Sequence, residues 1–366
     1  MRICLYNVTA TLHFGGLETY CWELGRTLVD LDHQVVLMAG EGGEARNDAV
    51  QLCCFPFKAR HRYASLGSRY KKLRERLSFA RQAGQWLLQQ EFDATIIVKP
   101  FDIPVLWWAR RRGSSAITLL CSGGVDFFWG DRHFAHSLDY IVATSAYNAK
   151  QLEKRYSRRV ERIPYGVDIE TFNVNHSKEL RVVMGIDADK ILLLSAGRLV
   201  GWKGLHIVLK AISDLPDVHF LIVGEGEARQ ALEKQATELG IAERVYFTGR
   251  IDHDDLPDYL SEADIFVQPS IGEEAFGISV IEAMACQLPV VVSNNGGMVD
   301  FVSDGVEGSV LPPGDVLAWR EGLTTLTTNQ QLRAQMGAAG RAKVEAHYTW
   351  RANAQSLIEL IETTKR

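Results

Sequence analysis

Twice along this chain, short runs of β-branched and other apolar residues alternate with longer stretches of helical periodicity. That alternation confines the fold to parallel β-α-β units. In the first series RICLYNV, QVVLMAG, ATIIVKP, AITLLCS and YIVATS read as strands, separated by helical stretches such as LETYCWELGRTLVDL and SAYNAKQLEKRY. The second series begins after residue 185, with strands KILLLSAG, HFLIVGEG, RVYFTGR, DIFVQPS and PVVVSNN and helices that include GLHIVLKAISDL and EARQALEKQATELG. Between them lies IPYGVDIETFNVNHSKELRVVMG, polar and turn-rich, which marks a domain boundary. A chain of 366 residues is too long for one ordinary core. The reading is an α/β protein of two Rossmann-like, doubly wound domains, residues 1–172 and 173–347, facing a central cleft with ligands at the carboxyl ends of the strands. The last stretch, YTWRANAQSLIELIETT, is helical and either caps the second domain or crosses back to the first.

Hydrophobic residues make up 46% and charged residues 23%, the balance of a globular protein rather than a disordered or membrane-spanning one. The longest apolar runs, ILLLSAG and LPVVVS, are strand length, short of the ~20 residues a transmembrane helix requires. The first apolar run is likewise a strand rather than a signal sequence, so the expected location is the cytoplasm. Six cysteines show no zinc spacing and read as reduced core residues. Net charge is −5 but uneven: residues 1–172 hold 23 Lys+Arg against 18 Asp+Glu, the remainder 17 against 27.

Several strand-end loops carry chemistry. In FGGLE, residues 14–18, Gly15 and Gly16 permit a tight turn, and the helix that follows aims its amides at any anion there. In GRLVGWKG, residues 197–204, Gly197 keeps the loop thin while Arg198 and Lys203 offer a planar fork and a compact cation suited to phosphate oxygens. In EEAFGISVIEAMAC, Glu274 and Glu282 stand eight positions apart, and Gly277 opens a helix whose positive end adds to the attraction for a diphosphate. Taken singly, each of these is as well explained by an ordinary loop or a polar helix face. GEGEAR, residues 224–229, has Arg229 where a dinucleotide fingerprint has its third glycine, so no nicotinamide role is expected. Three Asp-x-Asp pairs, Asp252/Asp254, Asp187/Asp189 and Asp30/Asp32, sit where capping and turns explain them, and no metal site is expected.

The order and spacing of IPYGVDIETF, SAGRLVGWKG, FLIVGEGE, VYFTGRI and LPDYLSEADIFVQPSIGEEAFGISVIEAMACQLPVVVSNNGGMVDFVSDGVEGSVLPPGD resemble the family 4 glycosyltransferases, with FGGLE matching the family's N-terminal glycine loop. The resemblance implies a GT-B fold, retaining sugar transfer from a nucleotide diphosphate, no obligatory cofactor or metal, and a C-terminal helix, residues 348–366, crossing back onto the first domain. Carried over by position, Arg198 and Lys203 would hold the diphosphate, Glu274 the donor sugar's hydroxyls and Glu282 the ribose diol. Ala275, Phe276, Gly277 and Ile278 would present backbone to sugar and phosphate, with Gly16, beside Gly15, closing the other side and Arg250–Ile251 lying by the base. Attack on the donor's front face needs no protein nucleophile, since the leaving phosphate oxygen can take the acceptor's proton. The chain departs from the family at three places. GGVDFFWGD replaces a first-domain histidine segment, with Asp126 as the candidate substitute; Gln287 stands where glycine is usual and Asp300 where glutamate is usual. Asp102 in KPFDIP and Glu18 in the glycine loop are acceptor-side candidates.

Residues 58–81, KARHRYASLGSRYKKLRERLSFAR, hold nine Lys/Arg and one acid, interleaved with Tyr63, Leu66, Tyr70, Leu73, Leu77 and Phe79. The segment reads as a face for anionic lipid, aided by Trp107 and Trp108 in WWARRR; nucleic acid is not expected. By likeness to bacterial glycosyltransferases of lipopolysaccharide and glycolipid synthesis, the acceptor would be a saccharide or lipid-linked saccharide. The protein would then be peripheral on the cytoplasmic face of the inner membrane. A nucleotide-sugar epimerase on the same fold and a non-catalytic nucleotide-sugar-binding subunit are the alternatives.

Overall fold

The computed structural model describes residues 1–12, 15–45, 49–64, 66–124, 126–176 and 179–365. Phe14 of the glycine loop, Ser65 of the basic segment and Arg366 lie outside them. Two compact units form, one of Met1–Tyr165 with Trp350–Arg366, the other of Gly166–Thr349.

In the first unit the strands are β1 (Arg2–Tyr6), β2 (Gln34–Gly40), β3 (Gln51–Phe55), β4 (Ala94–Ile97), β5 (Ile117–Ser122), β6 (Tyr140–Ala143) and β7 (Glu161–Arg162). They make one sheet ordered β3-β2-β1-β4-β5-β6-β7, every pair parallel. The second unit has β8 (Ile191–Ala196), β9 (Val218–Val223), β10 (Val245–Gly249), β11 (Ile265–Gln268), β12 (Val290–Ser293) and β13 (Gly308–Leu311), ordered β10-β9-β8-β11-β12-β13 and again parallel. Central strands such as β5, β8 and β12 are buried along their whole length. Helices covering both faces of a parallel sheet leave no solvent side, and the strands therefore read as unbroken apolar runs. The strands that the sequence pattern did not single out, β3, β7 and β13, are edge strands with exposed or half-exposed positions. Cys54 is exposed on β3 and Cys53 half-buried, so these two depart from the expectation of core cysteines; the other four are buried and all six are free.

The unit boundaries fall at Tyr165/Gly166 and Thr349/Trp350, whereas 172/173 was expected from the turn-rich composition and 347/348 from the family resemblance. Arg341 explains the first offset, because its guanidinium donates to the carbonyls of Ile169, Phe172 and Ala285 and fastens residues 169–172 to the second unit. Tyr348 packs its ring at a tilt against Phe276 and Phe301, also in the second unit. The helix Trp350–Lys365 is anchored in the first unit instead: Asn353 Nδ2 donates to the Pro164 carbonyl at 2.5 Å, and the Trp350 ring packs beside Tyr20 and Tyr165.

Candidate active site

In each sheet the strand order reverses beside its first strand, between β1 and β4 and between β8 and β11. Ligands of open α/β sheets bind in the crevice outside the carboxyl strand ends at such a point. In the second unit the loops leaving β8, β9, β11 and β12 interlock there through glycines. A Cβ at Gly224 would stand 1.9 Å from the Gly197 carbonyl oxygen, one at Gly226 2.1 Å from that of Leu199, one at Gly204 1.9 Å from that of Pro269, and one at Gly296 2.1 Å from that of Glu274. Only the absence of side chains lets these backbones touch. The glycines of GEGEAR thus serve loop packing, and Arg229 there pairs with Glu225 and Glu233. Cross-loop hydrogen bonds complete the frame: Ile271 and Gly272 donate to the Trp202 carbonyl, Gly297 to that of Glu274, and Asn295 Nδ2 to that of Gly272.

This frame brings the Lys203 ammonium, at the end of the loop after β8, to 2.5 Å from Glu274 Oε2, in the loop after β11, both mostly shielded from water. Lys203 also lies 5.0 Å from the Trp202 ring centroid. Arg198 is exposed, and no group among the described residues hydrogen-bonds its guanidinium. Gly277, at φ 99°, caps the helix Ile278–Ala285, so Ile278 is its first residue. Phe276 is buried against Phe301, which turns its side chain into the core. Ala275 precedes it, half-buried. Glu282 is buried inside that helix, with Oε1 2.7 Å from His253 Nε2. His253 follows β10, just after Arg250 (exposed) and Ile251 (half-buried), and its ring lies 5.3 Å from that of Phe172. Sequence reasoning missed His253; nothing in the motif spacing points to a residue on another loop.

In the first unit, Gly15 is extended and its carbonyl accepts from the amides of Glu18 and Thr19 as the helix Gly16–Asp30 begins. Glu18 is buried and accepts from Thr9 Oγ1 at 2.7 Å. Asp102, the acceptor-side candidate on a strand-end loop, is enclosed and ion-paired with Arg76, whose other nitrogen reaches Asn7 Oδ1 at 3.3 Å. Burial raises the Asp102 carboxyl to about 6, with Arg76 opposing. Arg76 is therefore a core cation and not part of the basic surface. Nearby Lys99 has its ammonium pKa lowered by burial and by Arg76. Asp126 is paired with Lys72 at 2.5 Å and half-exposed. Among the described residues, no cluster of three His, Cys, Asp or Glu stands ready for a metal ion, and no helix is long and apolar enough to cross a membrane.

Two adjoining family patterns match the chain: Glycosyltransferase Family 4 over residues 14–171 and Glycosyl transferases group 1 over residues 176–343. A GDP-mannose-dependent alpha-(1-6)-phosphatidylinositol monomannoside mannosyltransferase of Mycolicibacterium smegmatis is 31% identical over 299 residues, 72% of this chain and 78% of that one. The chain belongs to the group 1, family 4 glycosyltransferases. It is a retaining hexosyltransferase of GT-B fold with a nucleotide-sugar donor, and the epimerase and binding-subunit alternatives are set aside. The chain spans less than two thirds of the length of further curated relatives it matches. Solved structures agree in fold. Sucrose-phosphate synthase from Thermosynechococcus elongatus superposes with TM-score 0.85 at 22% identity, covering 99% of this chain and 98% of that one. Anabaena HepE in complex with UDP-glucose gives 0.83 at 19%, covering 99% and 100%.

Proposed function

We propose that this glycosyltransferase moves mannose from GDP-mannose, with retention, to a hydroxyl of an inositol-containing or other glycolipid acceptor at an anionic membrane face. The observation that carries the donor half is the meeting of Lys203 and Glu274 at the β8/β11 switch point, in a frame whose β8 loop also bears Arg198, its guanidinium unbonded among the described residues, and whose β11 loop leads into the capped start of the helix Ile278–Ala285. Arg198 and Lys203 neutralise the diphosphate, Glu274 accepts from the sugar hydroxyls, and the backbone of Ala275, Phe276, Gly277 and Ile278 lies along sugar and phosphate. Glu282 takes the ribose diol, with Arg250 and Ile251 beside the base. Mannose and the inositol lipid rest on likeness to the Mycolicibacterium smegmatis mannosyltransferase.

Chemistry follows from charge development. As the bond from the anomeric carbon to the phosphate oxygen breaks, that carbon becomes cation-like and the phosphate gains charge, which the two cations stabilise. The acceptor hydroxyl attacks from the same face, a new carbon–oxygen bond forms, and its proton passes to the departing phosphate oxygen, giving nucleoside diphosphate. Asp126, held by Lys72, takes the place of the family's first-domain histidine near the donor sugar.

The membrane half rests on one helix, Ser68–Leu88, whose outer stripe Tyr70, Arg74, Leu77 and Arg81 is exposed at helical spacing. The test is incubation with GDP-mannose, or UDP-glucose as competitor, and phosphatidylinositol-based acceptors in vesicles, with the anomeric configuration of the product read by NMR. An α-linked mannolipid supports the proposal; transfer from UDP-glucose alone, or only to soluble sugars, overturns its donor or acceptor half.

A further inference from the structure

We propose that His253 is a positioning residue for nucleotide recognition, holding the Glu282 carboxylate in the orientation from which it accepts both ribose hydroxyls. The inference rests on the proposed ribose role of Glu282. Glu282 is buried, yet its terminal torsion is one of the broad, weakly preferred kind, so backbone and rotamer alone leave the carboxylate plane loose. His253 Nε2 contacts Oε1 at 2.7 Å. A carboxylate only accepts, which puts the proton on Nε2. No other group among the described residues hydrogen-bonds the Glu282 carboxylate, so this single contact sets the plane and leaves the second oxygen open. The imidazole is itself steadied by the buried Phe172 ring, 5.3 Å away at an interplanar angle of 50°. A vicinal diol offers two donors at the spacing of two carboxylate oxygens, and it is matched only if the plane is fixed. Sites built to bond a hydroxyl reject analogues that lack it, because the buried partner is then left unpaired.

The experiment measures calorimetric binding of GDP and UDP, and of their 2′,3′-dideoxy analogues, to the full chain as wild type, His253→Ala, His253→Gln and Glu282→Gln. Expected for the wild type is a preference for the ribonucleotide of about tenfold or more, from hydrogen bonds to a charged group. His253→Ala should shrink that preference to within about threefold while leaving the dideoxy affinity unchanged, and His253→Gln, which can still donate, should restore part of it. A purely structural histidine would weaken both nucleotides alike, and that result, or an unchanged preference, overturns the inference. If Glu282→Gln also keeps the preference, or the wild type has none, the ribose assignment of Glu282 has failed as well. Loss of preference in Glu282→Gln but not in either His253 variant leaves that assignment standing and removes only the role of His253.

Discussion

Lys203 and Glu274 are 71 positions apart in sequence, yet their charged atoms stand 2.5 Å apart, one beyond β8 and the other beyond β11. The pair neutralises two groups proposed for opposite parts of the donor. Donor binding must therefore offer the ammonium phosphate oxygens in exchange for the carboxylate, which is released to the sugar.

Lys203→Ala should weaken nucleotide-sugar binding by roughly 1.5–3 kcal/mol, the range for bonds to charged groups. Combined with Glu274→Gln in a double-mutant cycle, the two losses should fail to add by about 0.5 kcal/mol or more, as for residues in contact. Calorimetry in EDTA checks this. Unchanged donor affinity in Lys203→Ala would remove the diphosphate from this loop.

Gln287 gives a test of stability. It stands where the family usually has glycine, and it adopts φ 57°, the left-handed region, directly after Cys286, the C-cap of the helix Ile278–Ala285. The Leu288 amide closes back onto the Ala283 carbonyl, as at a helix end that glycine usually completes. Gln287→Gly should stabilise the second unit by about 1 kcal/mol, the left-handed penalty less the entropy of glycine. A chemical-denaturation midpoint that falls would show that the side chain contributes more than the backbone loses.

Arg76 and Asp102 make the stability of the first unit depend on pH. The folded carboxyl is raised above its ordinary 3.8 to about 6, so its contribution is fully present below the unfolded value and is lost as pH rises through 6. Removing the cation with Arg76→Met exposes the ionised form to uncompensated burial, costing about 3–5 kcal/mol at neutral pH. At pH 5, where the neutral acid is favoured, the cost should be visibly smaller. Urea titrations of wild type and variant at pH 5 and 7.5 measure the difference, and a cost independent of pH would mean that the carboxyl is not what the arginine serves.

The outer stripe of the helix Ser68–Leu88 predicts a salt-sensitive membrane interaction. Arg74→Gln with Arg81→Gln should weaken association with phosphatidylserine-containing vesicles by about 2 kcal/mol, roughly 1 kcal/mol for each cation near an anionic surface. Both side chains are exposed, so the melting temperature should stay close to wild type. Co-sedimentation at low and high salt provides the measurement. Equal recovery of wild type and variant with the vesicles would sink the docking face.

By itself, the sequence determined the two α/β units and most of their strands. The reason is local: a parallel strand covered on both faces must be apolar throughout, as β8 and β12 are. It also marked the loops that bear Arg198, Lys203 and Glu274 and the helix that bears Glu282, because a tight turn forces glycines and an anion site favours cations within a few residues. Edge strands such as β3 escaped, since half-exposed positions break that pattern. What only the tertiary structure decided is which distant groups face one another: Lys203 with Glu274, His253 with Glu282, Arg76 with Asp102. Strand order and helix facing set those pairings. Periodicity shows that a residue such as Arg76 lies on a helix of mixed character, but only the packed sheet beside it turns that cation inward and leaves Arg74 and Arg81 in solvent.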